Sequence, residues 1–201
     1  ANKNVTQTFA FTNWNDRLDR LVDEMQARKG QKILIFVSKK ANAELLADEL
    51  YDRGHRVQAL HGDKPQSART RILDDFKTGR ASILIATDVA ARGIDVSDIQ
   101  VVINYNMPLN SEDYVHRIGR TGRAGRKGTS ISFFSETDEI RVPELITILE
   151  ESGQEVPAEF RDVIEKRRAE RAASLRSGGG YKRSSSRPRS YGGRPRSYSR
   201  R

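Results

Sequence analysis

Ile33-Leu34-Ile35-Phe36-Val37 sets five large apolar residues in a row and ends at Ser38-Lys39-Lys40. Strict alternation would mark a strand with one wet face. An unbroken run this short marks a strand covered on both faces, as in a parallel sheet. A parallel sheet needs helical crossovers, and the flanks supply them. Upstream, Leu18, Leu21, Val22 and Met25 recur at helical spacing, with Asn13 positioned to cap the helix and Gly30 past its end. Downstream, Ala43, Leu46, Ala47 and Leu50 share one face before Gly54, and Val57–Leu60 reads as the next strand. The rhythm continues with a helix over Gln66–Thr78, carrying Ile72, Leu73 and Phe76 and closed by Gly79, then strands at Ile83–Ala86 and Val101–Tyr105. Ser111 is a candidate cap for a helix with Glu112 and Asp113 in its first turn, where acids suit the positive dipole end. A strand at Thr129–Phe134 precedes a helix from about Thr137 to Ser152, which Pro143 should delay or kink. The pattern predicts an α/β fold, an open, mostly parallel sheet with helices on both faces.

The 201 residues suit one such domain with extensions. Residues 1–12 read as a linker and first strand through Val5, Phe9 and Phe11, and 13–155 as the domain. Residues 156–175 read as a helical extension whose few large apolar groups, Phe160, Val163 and Ile164, lie at its start. Residues 176–201 form a basic tail with too little apolar surface to offset the entropy of ordering, and are expected to be disordered. Net charge is +9, and from Arg171 onward ten Lys or Arg meet no Asp or Glu, so 36 − 10 = 26 basic residues oppose 27 acidic ones before it. The excess therefore belongs to the tail, and with tyrosines among the arginines it points to nucleic acid. No run is long enough to span a bilayer, no signal segment opens the chain, and the lack of cysteine excludes disulfide and thiolate chemistry. A nuclear or cytoplasmic setting is the corresponding expectation.

His116-Arg117-Ile118-Gly119-Arg120-Thr121-Gly122-Arg123 is the densest chemical signal. Arginines at steps of three, spaced by glycines, can aim several planar cations at one target, and phosphate is the natural one. A solvated basic loop is the plain alternative. Ligands of open parallel sheets sit beyond the carboxyl ends of the strands. Ser38, His61-Gly62, Thr87-Asp88, Asn106 and Arg120 all fall after predicted strands or the helix that follows one.

In four stretches the chain resembles the DEAD-box RNA helicases. His116–Arg123 is similar to their motif VI, Ile35-Phe36-Val37-Ser38 to motif IV, His61-Gly62-Asp63 with Gln66 and Arg69 to the HGDxxQxxR element, and Ala86-Thr87-Asp88-Val89-Ala90-Ala91-Arg92-Gly93-Ile94-Asp95 to motif V. The resemblance covers roughly residues 1–155 and the second of the family's two RecA-like domains; no G-x-x-x-x-G-K-[S/T] loop and no Asp-Glu-Ala-Asp occurs. It implies that Arg120 and Arg123 reach the phosphates of ATP as catalytic groups, and that Gly93 and Asp95 bind the nucleotide, Asp95 at the ribose. By the same resemblance Arg92 and His116 couple to the partner domain, while Ser38, Lys39, Gly62, Arg69, Thr87 and Asp88 meet the RNA backbone. Lys39 departs from the pattern, which often has Thr there, so an uncharged contact would become ionic. Arg117 is assigned a structural role. The plain alternatives are a turn cap for Asp95, a core position for His116 and a surface ion pair for Arg69.

Mg2+ would be held mainly by the absent N-terminal RecA-like domain, leaving no metal site on this chain, which alone is predicted to be inactive. The implied partners are that domain and RNA, single-stranded or duplex, with little sequence preference; no membrane is involved and the chain is taken as a monomer. Tyr181, Arg183, Arg187, Arg189, Tyr191, Arg194, Arg196 and Tyr198 would add RNA contacts from the tail. The rivals are a non-catalytic RNA-binding or annealing module and a DNA helicase of the wider superfamily.

Overall fold

A computed structural model of the chain describes residues 3–177. Its first compact unit ends at Glu165. That unit is built on six strands, β1 (Val5–Phe11), β2 (Ile33–Phe36), β3 (Gln58–Leu60), β4 (Ile83–Ala86), β5 (Val101–Asn104) and β6 (Gly128–Phe134), in the order β1-β6-β5-β2-β4-β3. Every pairing is parallel. The expected mostly parallel sheet is thus wholly parallel among the described residues. β2 lies at its centre, paired to β4 and β5, which is why all four of its residues are buried.

Among the described residues seven α-helices connect and follow the strands: α1 (Arg17–Ala27), α2 (Lys40–Asp52), α3 (Gln66–Thr78), the single turn α4 (Asp88–Ala91), α5 (Ser111–Ile118), α6 (Val142–Glu151) and α7 (Ala158–Ser177). Alternate residues of the central strands feed opposite cores. Ile33, Ile35, Val101 and Ile103 pack with Leu21 and Met25 of α1 and with Ala43, Leu46 and Leu50 of α2. Leu34, Phe36, Leu84 and Val102 pack with Ile72 and Phe76 of α3 and with Ala90 and Ala91 of α4. A third cluster joins Tyr114 and Ile118 of α5, Leu145 and Leu149 of α6, and Phe160. At roughly 25 cal/mol per Å2 of apolar surface removed from water, such burial is the main stabilising contribution.

Local details correct two expectations, at Asn13 and Ser111, and agree with a third, the late helix start at Pro143. Asn13 precedes a 3-10 turn, Trp14–Asp16, and makes no side-chain cap bond; its backbone carbonyl accepts from Asp16 N at 3.2 Å. At α5 the cap is Asn110, whose Oδ1 accepts from Asp113 N at 2.8 Å, so Ser111 is already inside the helix. Pro143 divides the last predicted helix into a 3-10 segment, Glu136–Arg141, and α6, in whose first turn its missing N–H costs nothing. Within residues 166–177 the end of α7 continues as helix to Ser177, two residues past its expected end.

Candidate functional site

Because all strands run the same way, the segments leaving β2, β3, β4 and β5 emerge along one edge of the sheet. Ser38 follows β2 and its amide donates to Asn106 Oδ1, after β5, at 3.2 Å. Lys39 is the N-cap of α2, extended and exposed. Gly62 is exposed in the turn after β3, and α3 begins behind Pro65 with no side-chain cap, so its first amides point outward unoccupied by a capping group. On its first turn Arg69 has a buried Nε with no hydrogen-bond partner among the described residues. Thr87 is the buried N-cap of α4.

Arg117 anchors the middle of this edge. It is 2% exposed, and its Nε and Nη2 donate to the two carboxylate oxygens of Asp88 at 2.6 and 2.7 Å. Nη1 donates to Asn106 O at 2.7 Å and Asn104 Oδ1 at 3.3 Å, and the guanidinium lies 5.1 Å from the centre of the Phe36 ring. A buried charge persists only when paired and fully hydrogen-bonded, and this one is. The fork also changes what Asp88 offers. Its carboxylate, expected to face RNA, has both oxygens committed to Arg117.

The fork fixes the end of α5, from which Arg120 and Arg123 project. Arg123 donates from Nε to Gly119 O at 2.9 Å. Arg120 is half-buried and has no acidic partner among the described residues; burial first, and the charge of Arg123 second, hold its pKa below the ordinary arginine value. Arg120 stays cationic all the same, since arginine does not lose its proton in proteins. Between the two arginines Thr121 is buried and donates from Oγ1 to Ile99 O at 2.6 Å, riveting the turn to the segment that leads into β5. Asp88, Arg92, Asp113, His116, Arg117 and Arg120 line a narrow cleft here. His116 is exposed, so the core alternative does not hold for it. Arg92, Gly93 and Asp95 are exposed in the segment after α4, and no capping bond from Asp95 is present among the described residues. The tail positions from Tyr181 to Tyr198 lie outside the described residues.

Two groups, Asn104 and Glu44, carried no signal of their own in the sequence. Asn104 sits in a buried strand and bridges Arg117 to Ser132 Oγ, at 2.9 Å. Glu44 of α2 meets His61 Nε2 at 2.5 Å and Lys64 Nζ at 2.6 Å, and hydrogen bonds from Lys64, then His61, hold its carboxyl below the usual carboxylate range. Asp63 N donates to His61 Nδ1 at 3.3 Å, which leaves the ring proton on Nε2 facing Glu44. Only a pairing across the fold could have revealed Asn104 and Glu44, because the partners of each lie far from it in sequence.

Residues 6–125 match the family described as the helicase conserved C-terminal domain. The fold and the arginine-bearing edge are those of a RecA-like helicase half. Among relatives, the ATP-dependent RNA helicase DBP2 of Eremothecium gossypii is 47% identical over 163 residues, 80% of this chain and 29% of that protein. The solved C-terminal domain of the DEAD-box protein Dbp5 is 36% identical, with a TM-score of 0.65 over 82% of this chain and 96% of that one. Saccharomyces cerevisiae Dbp5 bound to RNA and ADP BeF3 is 34% identical with a TM-score of 0.66, covering 83% of this chain and 46% of that chain. The chain belongs to the DEAD-box helicase family as its C-terminal RecA-like domain. It spans about a third or less of the length of the curated relatives it matches.

Proposed function

We propose that the chain is the C-terminal half of an ATP-dependent RNA helicase, which closes with an N-terminal RecA-like domain over ATP and RNA. The observation that carries this reading is the Arg120–Arg123 pair. Two like charges held together and partly desolvated, with no carboxylate between them, gain when an anion joins them. Phosphoryl transfer spreads charge over the equatorial oxygens of the moving group, and guanidinium groups offered from across a cleft stabilise it there. Exposed Gly93 and Asp95 would meet the rest of the nucleotide, and Arg92 and His116 the partner domain. The second ligand would lie along Ser38, Lys39, Gly62, Arg69 and Thr87. Exposed amides, an uncapped helix start and two cations suit a phosphate backbone, which carries no sequence information. RNA rather than DNA is the substrate inferred from the relatives' names and from the Dbp5 complex with RNA. Among the described residues there is no group of three or more His, Cys, Asp or Glu that could hold a metal ion, and Mg2+ is proposed to be held mainly by the N-terminal domain.

The test is single-turnover ATP hydrolysis by the chain joined to an N-terminal RecA-like domain, with saturating RNA or DNA of equal length. Arg123→Ala should lower the rate by about 10³-fold, the lower end for arginine fingers because Arg120 can partly substitute, while thermal unfolding and RNA binding stay near the parent's. Arg123→Lys should rescue little, since an ammonium lacks the planar fork. Normal turnover by Arg123→Ala, or equal stimulation by DNA, would overturn the assignment.

A further inference from the structure

Beside the edge just described lies a cavity of about 620 Å3 lined by Trp14, Arg17, Ser38, Asn106, Leu109 and Glu136, among others. The size is ordinary for a ligand site, about 300–1,000 Å3. Its wall includes a large aromatic side chain that the fold holds out rather than covers. Trp14 is 60% exposed, yet its ring is fixed on two sides. Tyr105 packs against it edge-on with centroids 6.2 Å apart, and the Arg17 guanidinium lies 5.0 Å from the ring centre. Arg17 is itself immobilised, 3% exposed, donating to Tyr105 O at 2.7 Å and Ser135 Oγ at 3.1 Å, with Asp138 at 3.5 Å. A buried cation thus covers part of the indole, while most of the residue stays exposed on the cavity wall. Holding apolar surface rigidly in water has a cost and serves nothing in the core.

We propose that Trp14 is a stacking platform for a nucleobase of the RNA strand whose backbone passes Ser38 and Lys39. The inference rests on the RNA reading above and adds to it a base contact where that reading has only backbone contacts. Ser38 lines the same cavity as Trp14, so a nucleotide with its phosphate at Ser38–Lys39 has the ring within reach. Asp138 on this lining is already paired with Arg17 and Arg141, and Glu136, which has no ion pair among the described residues, disfavours a phosphate beside it but leaves a neutral base unaffected. A flat π-face accepts any base, so the platform tolerates sequence as the backbone contacts do.

Trp14 is the one tryptophan in the 201 residues, so its emission reports this site alone. The experiment titrates the chain with a single-stranded RNA 10-mer and with an abasic backbone of the same length, following binding by anisotropy and Trp14 by fluorescence. Bound RNA should quench the indole and the abasic strand should not. Trp14→Ala should weaken RNA binding by roughly tenfold at unchanged thermal unfolding, with Trp14→Phe in between. Lys39→Glu should remove the quenching along with the local phosphate contact. RNA binding without quenching, or quenching that survives Lys39→Glu, overturns the platform and leaves the backbone reading standing. Absence of any RNA binding by anisotropy overturns both.

Discussion

Arg117 and Asp88 form the pair on which the candidate site turns, 29 positions apart in sequence and joined at 2.6 and 2.7 Å. Arg117→Ala leaves Asn104 and the Asn106 carbonyl without their donor and leaves Asp88, about a third open to solvent, without its partner. The expected loss is about 3–5 kcal/mol by urea unfolding, with Asp88→Ala toward the upper end because it leaves the buried Arg117 guanidinium without a counter-charge. Arg117→Lys should recover little, since one ammonium cannot fill three directions at once. In a double-mutant cycle the two alanine losses should fall well short of additive; full additivity would mean that the fork holds nothing. None of this was visible in the sequence, where Arg117 could be assigned a structural role only by resemblance and Asp88 was expected to face RNA. Pairing across a fold leaves no local mark on either residue.

At the scale of elements, the arginine-bearing turn is held by the strand that follows it. A Cβ built on Gly128, the first residue of β6, would lie 2.1 Å from Thr121 Oγ1 and 2.6 Å from Gly122 N. Backbone on one side and a riveted hydroxyl on the other leave it nowhere to go. Gly128→Ala should therefore cost about 1–3 kcal/mol or more of stability and displace Arg120 and Arg123. Thermal unfolding together with single-turnover hydrolysis checks this, and a variant as stable and as fast as the parent would refute it. The elements themselves were largely legible. The run Ile33–Val37 has no alternation because β2 is central, and Gly79, at φ 80, stops α3 where the chain needs a left-handed residue. The cap of α5 lies one residue before the expected Ser111 because Asn110 and Ser111 are both good caps and only the fold decides between them. Trp14 was illegible as a platform because nothing in a sequence says that an indole will be left uncovered.

Across the whole molecule, carboxylates tied to cations set the response to acid. A hydrogen bond from Lys32 Nζ, 2.8 Å from Asp98 Oδ2, holds the Asp98 carboxyl below the usual carboxylate range, and Lys64, then His61, do the same for Glu44. A carboxyl whose folded pKa is depressed binds its proton more readily when unfolded. Its contribution is thus complete above the ordinary value near 4 and is lost as pH falls through the folded one. Stability should drop below about pH 4, modestly for each pair because both carboxylates are partly exposed and screened. Asp98→Asn should flatten part of that drop when unfolding midpoints are compared at pH 3 and pH 7; an unchanged slope would contradict it. One further property follows from β1, which lies at the sheet edge and matches β6 in register over seven pairs from Val5↔Gly128 to Phe11↔Phe134. Tension applied ahead of Val5 acts along the strand, so the rungs of this ladder share the load at once in shear instead of peeling in turn. The domain is thereby fastened to whatever pulls on it by its most force-resistant geometry.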